Sequence, residues 1–173
     1  LMVVSEGPYK AWMGPWAQSG TKARMYGPQG NLDKTSIQGN EQAAEGSVIA
    51  GSYPDISTAP WKDFRAALSK YKANDTYDYN SLAGLGTWSG YMAFKKIIEA
   101  SVKGDVTSKA FLDAAAQTTD LKMDGMTPDI DFTKEWSANP PYRRLFNHGV
   151  VFSTIKNGKV VRVQLPAVNA RQA

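Results

Sequence analysis

The chain has 173 residues, 42% hydrophobic and 21% charged, a globular composition with length for roughly one domain. It has no cysteine and a single histidine, His148. Disulfide scaffolds, thiol nucleophiles, cysteine-held zinc or iron–sulfur clusters and His-rich metal centres are therefore excluded. Twenty Lys and Arg against 16 Asp and Glu give a formal charge of +4. These cations are scattered from Lys10 to Arg171 rather than gathered into a stripe, so nucleic acid is not an expected partner.

Leu1-Met2-Val3-Val4-Ser5 is a short apolar run that reads as a strand, with neither the basic flank nor the long apolar stretch of a signal peptide. Its abrupt start suggests a piece of a longer protein. Glu6-Gly7-Pro8 breaks it, and Pro8 suits the first turn of a helix over Tyr9–Gln18, closed by Gly20 and kinked or shortened by Pro15. Lys22–Tyr26 reads as a second strand, ending on the turn Gly27-Pro28-Gln29-Gly30. One short helix is expected within Leu32–Gln38, and Ser47–Tyr53 is a third strand. Strand–helix–strand units of this length predict a parallel α/β sheet.

Pro54–Pro60 reads as a linker, after which Trp61, Phe64, Leu68 and Tyr71 recur at helical spacing. Residues 73–86 read as a loop. Thr87–Val102 carries the strongest helical pattern, with Lys103-Gly104 at its end, and Thr107 caps a further helix bearing Phe111, Leu112, Ala115 and Ala116. No valine occurs between Val48 and Val102, which fits helices with no sheet of their own. Their apolar faces call for a partner segment. Finally, Gly149–Ile155 and Lys159–Leu165 flank Asn157-Gly158, the strongest short signal for a β-hairpin, because both turn residues tolerate positive φ. A frayed tail is expected after Pro166.

Catalytic constellations are thin. His148 has no Gly-x-Ser-x-Gly elbow to serve, and a surface or structural role fits it best. Gly84-Leu85-Gly86-Thr87-Trp88-Ser89-Gly90 has the look of a phosphate-binding glycine loop, but Tyr77-Asp78-Tyr79-Asn80-Ser81 before it is no hydrophobic strand. Asp124, Asp129, Asp131 and Glu135 lack the alternating spacing of a calcium loop and read as a solvated loop. Trp12, Trp16, Trp61, Trp88 and Trp136 are core by default, with room for one or two to line a cleft. No cofactor or metal is called for.

In order along the chain, these segments resemble the solute-binding proteins of branched-chain amino acid ABC transporters. The resemblance lies in Lys22–Gly30, in Glu45-Gly46 before a strand ending Gly51-Ser52-Tyr53, and in the helix Gly90–Ala100 with its Gly-Tyr-x-Ala start. It continues through Asp124-Gly125-Met126 to Phe132 and the hairpin Lys156-Asn157-Gly158-Lys159, covering about residues 1–165. It corresponds to the C-terminal half of that family.

The resemblance implies a type I periplasmic binding protein, with two Rossmann-like α/β lobes of which this chain is the C-terminal portion. Residues 1–53 and the hairpin at 143–165 would belong to the C-terminal lobe, residues 59–142 to the N-terminal lobe, and 166–173 to a tail. A small molecule would sit in the interlobe cleft and hold it closed, a state that a permease senses. Gln29 falls where amino-acid binders of the family carry an acid for the ligand's ammonium group. A neutral amide replaces a charge-assisted bond there, which favours an amide, an aromatic acid or another small molecule over a zwitterion. Ser5, Glu6 and Gly7 match a ligand-facing loop, Tyr9 lies near the position of its usual tyrosine, and Glu6 is a candidate for the missing charge. Gly30 belongs with Gln29 in its turn, and Leu85 and Gly86 match the loop that approaches the ligand from the other lobe. The implied function is a non-enzymatic, extracytoplasmic solute-binding component of an ABC importer. Its partners would be the N-terminal half of the protein and a membrane permease, and its place the periplasm or cell exterior at the membrane. A ligand-sensing receptor domain of the same fold is the alternative, with an α/β enzyme third.

Overall fold

The computed structural model describes residues 6–163 except 33, 74–76 and 139, with Glu6 described by its backbone alone. The expected strand at Leu1–Ser5 lies outside the described residues. Two compact units divide the chain: the first runs up to Leu85 and resumes at Val150, and the second is Gly86–Gly149.

The first unit is built on a four-stranded sheet in the order β1(Tyr26–Pro28), β2(Val48–Gly51), β3(Val151–Lys156), β4(Lys159–Arg162). β1 and β2 are parallel, and the other two pairings are antiparallel. Helix α1(Glu6–Gln18) precedes the sheet, and the short helices α2(Lys34–Ile37) and α3(Glu41–Ala44) link β1 to β2. Tyr9 and Met13 stand one turn apart on α1, so a single face of that helix enters the core. They meet Met25, Leu32, Ile37, Ala44, Ile49 and Ile155, all buried. Trp12 and Trp16 pack on the edge of this cluster, ring centroids 4.3 Å apart. Pro15 does not shorten α1, which continues to Gln18 before Gly20 turns the chain at φ 65°.

The second strand is not where the apolar pattern puts it. Lys22–Arg24 are exposed and unpaired in the sheet, and pairing starts only where β2 offers a partner, Tyr26 against Val48. Gly27 and Pro28, expected in the turn, lie inside β1 instead. Among the described strands it lies at the edge of the sheet, where a proline's missing N–H costs nothing. The single helix expected within Leu32–Gln38 is a one-turn α2, followed by the unforeseen α3. The hairpin holds: Asn157 and Gly158 take φ 52° and 69° between β3 and β4.

A 3-10 turn at Ala59–Trp61 opens α4(Lys62–Lys70), as the spacing of Trp61 and Phe64 predicts. Helix α5(Leu82–Ser101) starts five residues earlier than expected, and the glycine-rich stretch is therefore helical rather than a loop. The Ser81 hydroxyl accepts from Gly84 N at 3.1 Å, satisfying a first-turn donor. Glycine at 84 is a packing requirement, since a Cβ there would stand 2.5 Å from the Tyr79 carbonyl oxygen.

The second unit holds the rest of α5 and α6(Ser108–Ala116), which Thr107 caps by accepting from Ala110 N at 3.1 Å. Its only β pairing among the described residues is the isolated bridge Leu121–Ile130.

Candidate functional site

Parallel strands place their carboxyl ends on one side of a sheet, and ligands of open α/β sheets bind beyond those ends. Here β1 runs out into Gln29 and β2 into Ser52-Tyr53-Pro54-Asp55. Gln29 N continues the ladder by donating to the Ala50 carbonyl at 2.8 Å. The Gln29 side chain then turns onto the neighbouring backbone. Its Oε1 accepts from Ser52 N at 3.2 Å and Tyr53 N at 3.3 Å, and its Nε2 donates to the Tyr53 carbonyl at 3.4 Å. An amide serves here because it both accepts and donates, whereas a carboxylate would face the Tyr53 carbonyl without a proton to give. Gly51 is obligatory beside it, since a Cβ would overlap the Gln29 amide.

The segment after β2 is fixed from several directions. Pro54 O accepts from the fully buried Trp61 Nε1 at 2.9 Å. Arg65 Nη1 donates to the carbonyls of Ile56 and Thr58, at 2.5 and 2.7 Å. Asn80 forms the central knot: its Oδ1 accepts from Ile56 N, and its Nδ2 donates to Asp55 Oδ2, both at 2.7 Å. Asn80 N donates to Asp78 Oδ1 at 2.9 Å, and Asp78 Oδ2 accepts from Lys34 N at 2.7 Å. Three stretches distant in sequence, 29–34, 52–58 and 78–80, are thereby tied together at one end of the sheet.

Between them is a cavity of about 20 Å³ lined by Gln29, Tyr53, Asp55, Asp78, Asn80 and Ser153 over an apolar floor of Leu32, Ile49 and Val160. Ser153, in β3 opposite Ile49, is only 7% exposed. Burial pushes the Tyr53 phenol above its ordinary pKa, so it stays neutral. No group of His, Cys, Asp and Glu among the described residues is arranged to hold a metal ion.

Of the site residues expected from sequence, only Gln29 lines this cavity, and Gly30 adjoins it in the chain. Ser5 lies outside the described residues. Glu6 and Gly7 open α1 rather than forming a loop, and Gly7 is exposed with open space at its Cβ position. Leu85 and Gly86 also lie in a helix, and Leu85 is fully buried. Tyr9 too is core: it is 1% exposed, its hydroxyl is unpartnered, and burial raises its pKa. The sequence pattern does not point to Tyr53, Asp55, Asp78, Asn80 or Ser153. A signal for Ser52-Tyr53-Pro54-Asp55 does exist, in their position directly after the second parallel strand. Asp78, Asn80 and Ser153 reach the cavity only through the tertiary fold.

The other acidic candidates form a separate surface system. Asp124 pairs with Lys96 at 2.6 Å, Asp129 with Lys122 at 2.7 Å and Asp131 with Lys134 at 2.9 Å. Glu135 faces Arg143 Nε at 3.6 Å. Each carboxylate is matched by its own cation, as befits a solvated loop. His148 is exposed and stacks on Trp136, centroids 4.5 Å apart. Of the five tryptophans only Trp61 is fully buried, the others being half-buried.

No protein-family profile and no characterised protein sequence matches the chain. Solved structures do. A branched-chain amino acid ABC transporter protein from Thermus thermophilus with bound valine aligns over 98% of this chain, at TM-score 0.73 and 20% identity. A fatty acid ABC transporter substrate-binding protein from Thermomonospora curvata aligns over 98% at TM-score 0.76 and 15% identity. An extracellular ligand-binding receptor from Verminephrobacter eiseniae aligns over 92% at TM-score 0.72 and 12% identity. The chain has the fold of the type I periplasmic binding proteins. It spans less than half of those chains, 46%, 43% and 43% respectively. In this fold the carboxyl ends of β1 and β2 carry the described cavity. No helix among the described residues is long and apolar enough to cross a membrane.

Proposed function

We propose that the chain is the C-terminal half of an extracytoplasmic solute-binding component of an ABC importer. It holds an amino acid or a related small organic acid or amide in a cleft of the two-lobed fold. The observation that carries this reading is the likeness, over nearly the whole chain, to a valine-bound ABC transporter protein. The polar cavity at the carboxyl ends of two parallel strands supports it, because that is where such sheets take ligands. Closing around a solute stabilises one arrangement over another, and a permease reads the difference. No chemical step is required, so the protein is not an enzyme. The N-terminal half supplies the other cleft wall and covers the apolar helices of the second unit. The complex works in the periplasm or at the cell exterior, against a membrane permease. A ligand-sensing receptor role is the second reading, favoured by the likeness to an extracellular ligand-binding receptor.

Native mass spectrometry of the purified protein, followed by denaturation, tests the proposal. A companion polypeptide of similar mass and the release of an unaltered small metabolite are expected. Conversion of the released metabolite into a product on incubation with the protein would overturn it. A signalling domain fused to the companion polypeptide would decide for the receptor.

A further inference from the structure

The sheet of the first unit is buried on one face only. Gly27 lies on the buried side, where a Cβ would stand 3.2 and 3.3 Å from the Tyr9 and Leu32 side chains, and Ile49 and Ile155 are buried with it. Helices α1, α2 and α3 meet the sheet there, through Tyr9, Met13, Ile37 and Ala44. Side chains alternate along a strand, so the register sets Tyr26, Val48, Thr154 and Val161 in one row across the opposite face. Pro28, Ala50 and Phe152 form a second row beside it. A sheet with one face in water carries polar residues on that face. Here every member of the two rows except Thr154 is apolar, and the rows lie open. Tyr26 is 51% exposed and Val161 42%, Pro28 is exposed, and Val48, Ala50 and Phe152 are half-buried. A contiguous apolar surface of this kind marks a contact with another body.

We propose that this bare face is covered by an amphipathic, acid-bearing helix of the companion N-terminal half, which thereby completes the first unit as well as the second; the inference rests on the two-lobed reading. Topology selects a helix. β1 and β2 are parallel, and parallel strands belong in sheets with helices on both faces. Their own connection, α2 and α3, occupies the buried face, and the fixed right hand of a crossover keeps it there. The length of chain in the same fold supplies the source, since this chain spans only 43–46% of the proteins it matches. Charge then argues against a second copy. Lys156 and Lys159 stand opposite each other at the hairpin end of this face, both exposed and neither in an ion pair among the described residues. Glu45 reaches this turn but accepts from Asn157 N at 2.8 Å. Like charges directly opposite each other repel. An acid on the covering helix relieves them, whereas a copy of the same face brings two more lysines.

The chain has no cysteine, so an introduced one is its only thiol. Tyr26→Cys and Val161→Cys are compared with Gln42→Cys, exposed on α3 at the other face, in this chain alone and in the full-length protein that carries the N-terminal half. Maleimide labelling is read by mass on the modified peptide. It should slow at least about tenfold at 26 and 161 in the full-length protein, because a covered site reacts only through local opening, and stay unchanged at 42. Where a cysteine loosens the contact, hydroxyl-radical oxidation of the native Tyr26 and Phe152 makes the same comparison without a substitution. Unchanged reactivity at both positions in the full-length protein overturns the inference. Protection already present in the chain alone, rising with its concentration together with a doubled mass, gives the face to a second copy and overturns it too. A full-length protein that captures no solute yet protects both positions keeps the inference and sinks the solute-binding reading. One that captures a solute with the face still reactive does the reverse.

Discussion

The two units bury apolar surface by different means, one under a sheet and one between helices and loops. The first has a four-stranded sheet, and its core residues are 0–3% exposed. The second buries Ile97, Leu121, Met123 and Met126 at 1–6%. It nonetheless leaves Tyr91 70% exposed, Leu112 62% and Phe94 40% on its helices, while the first leaves Tyr71 and Tyr77 exposed outside its sheet. Amphipathic helices form readily, but a helix face is closed only by something laid against it. The first unit carries its own closing layer, whereas the described residues of the second form helices and one isolated bridge. The contrast predicts that stability is concentrated in the first unit.

A pair of substitutions tests the contrast at its largest. Ile49 is 2% exposed at the centre of the sheet. Ile49→Ala should destabilise by about 2–5 kcal/mol, through lost transfer energy and the cavity left behind. Tyr91→Ser in the second unit should move stability by no more than about 0.5 kcal/mol and improve solubility. Denaturant titration with one probe in each unit measures both. A comparable loss from Tyr91→Ser would mean that the second unit buries this face and would end the contrast.

A smaller effect is expected where a side chain serves the backbone rather than the core. Gln29→Ala removes the acceptor for Ser52 N and Tyr53 N and the donor to Tyr53 O. Leaving part-buried groups unsatisfied should cost about 1–3 kcal/mol and speed amide exchange at residues 52 and 53. Gln29→Glu should keep most of the stability, since two of the three bonds need only an acceptor. Equal losses in both variants would show that the Tyr53 carbonyl contact dominates the clamp.

These regions also differ in how far the sequence discloses them. The Asn157-Gly158 hairpin, the Thr107 cap and α4 are local events, fixed by residues a few positions apart, and each is found where the pattern places it. The shifted β1 is not local: Lys22–Tyr26 has the look of a strand, but pairing waits for Val48 to provide a partner. The early start of α5 is hidden because its glycines read as breakers, when Gly84 is there to let Tyr79 approach. The fold family is legible from the order of motifs. The cavity is not, because Asp55, Asp78 and Ser153 lie on three segments that only the tertiary structure assembles. Gln29, the one lining residue that the sequence pattern marks, spends its amide on its neighbours.

The smallest expected effect belongs to the surface charges of the second unit, and it sharpens the contrast by its locality. Hydrogen bonds from Thr133 and Lys134 lower Asp131 to a pKa of about 2, and those from Lys122 and Met123 N lower Asp129. A carboxylate whose folded pKa is depressed binds fewer protons folded than unfolded. Its contribution is therefore present above the unfolded value of 3.8 and is lost as pH falls from there toward about 2. Both groups are fully exposed, so screening by water and salt keeps this contribution small. Carbon-detected NMR titration should place the Asp131 carboxyl inflection well below that of a free aspartate. Residues 121–134 should loosen over this pH range before β2 and β3 do, because the sheet is held by burial that protons do not touch. Simultaneous loss of both regions would mean that the ion pairs of the second unit also support the first.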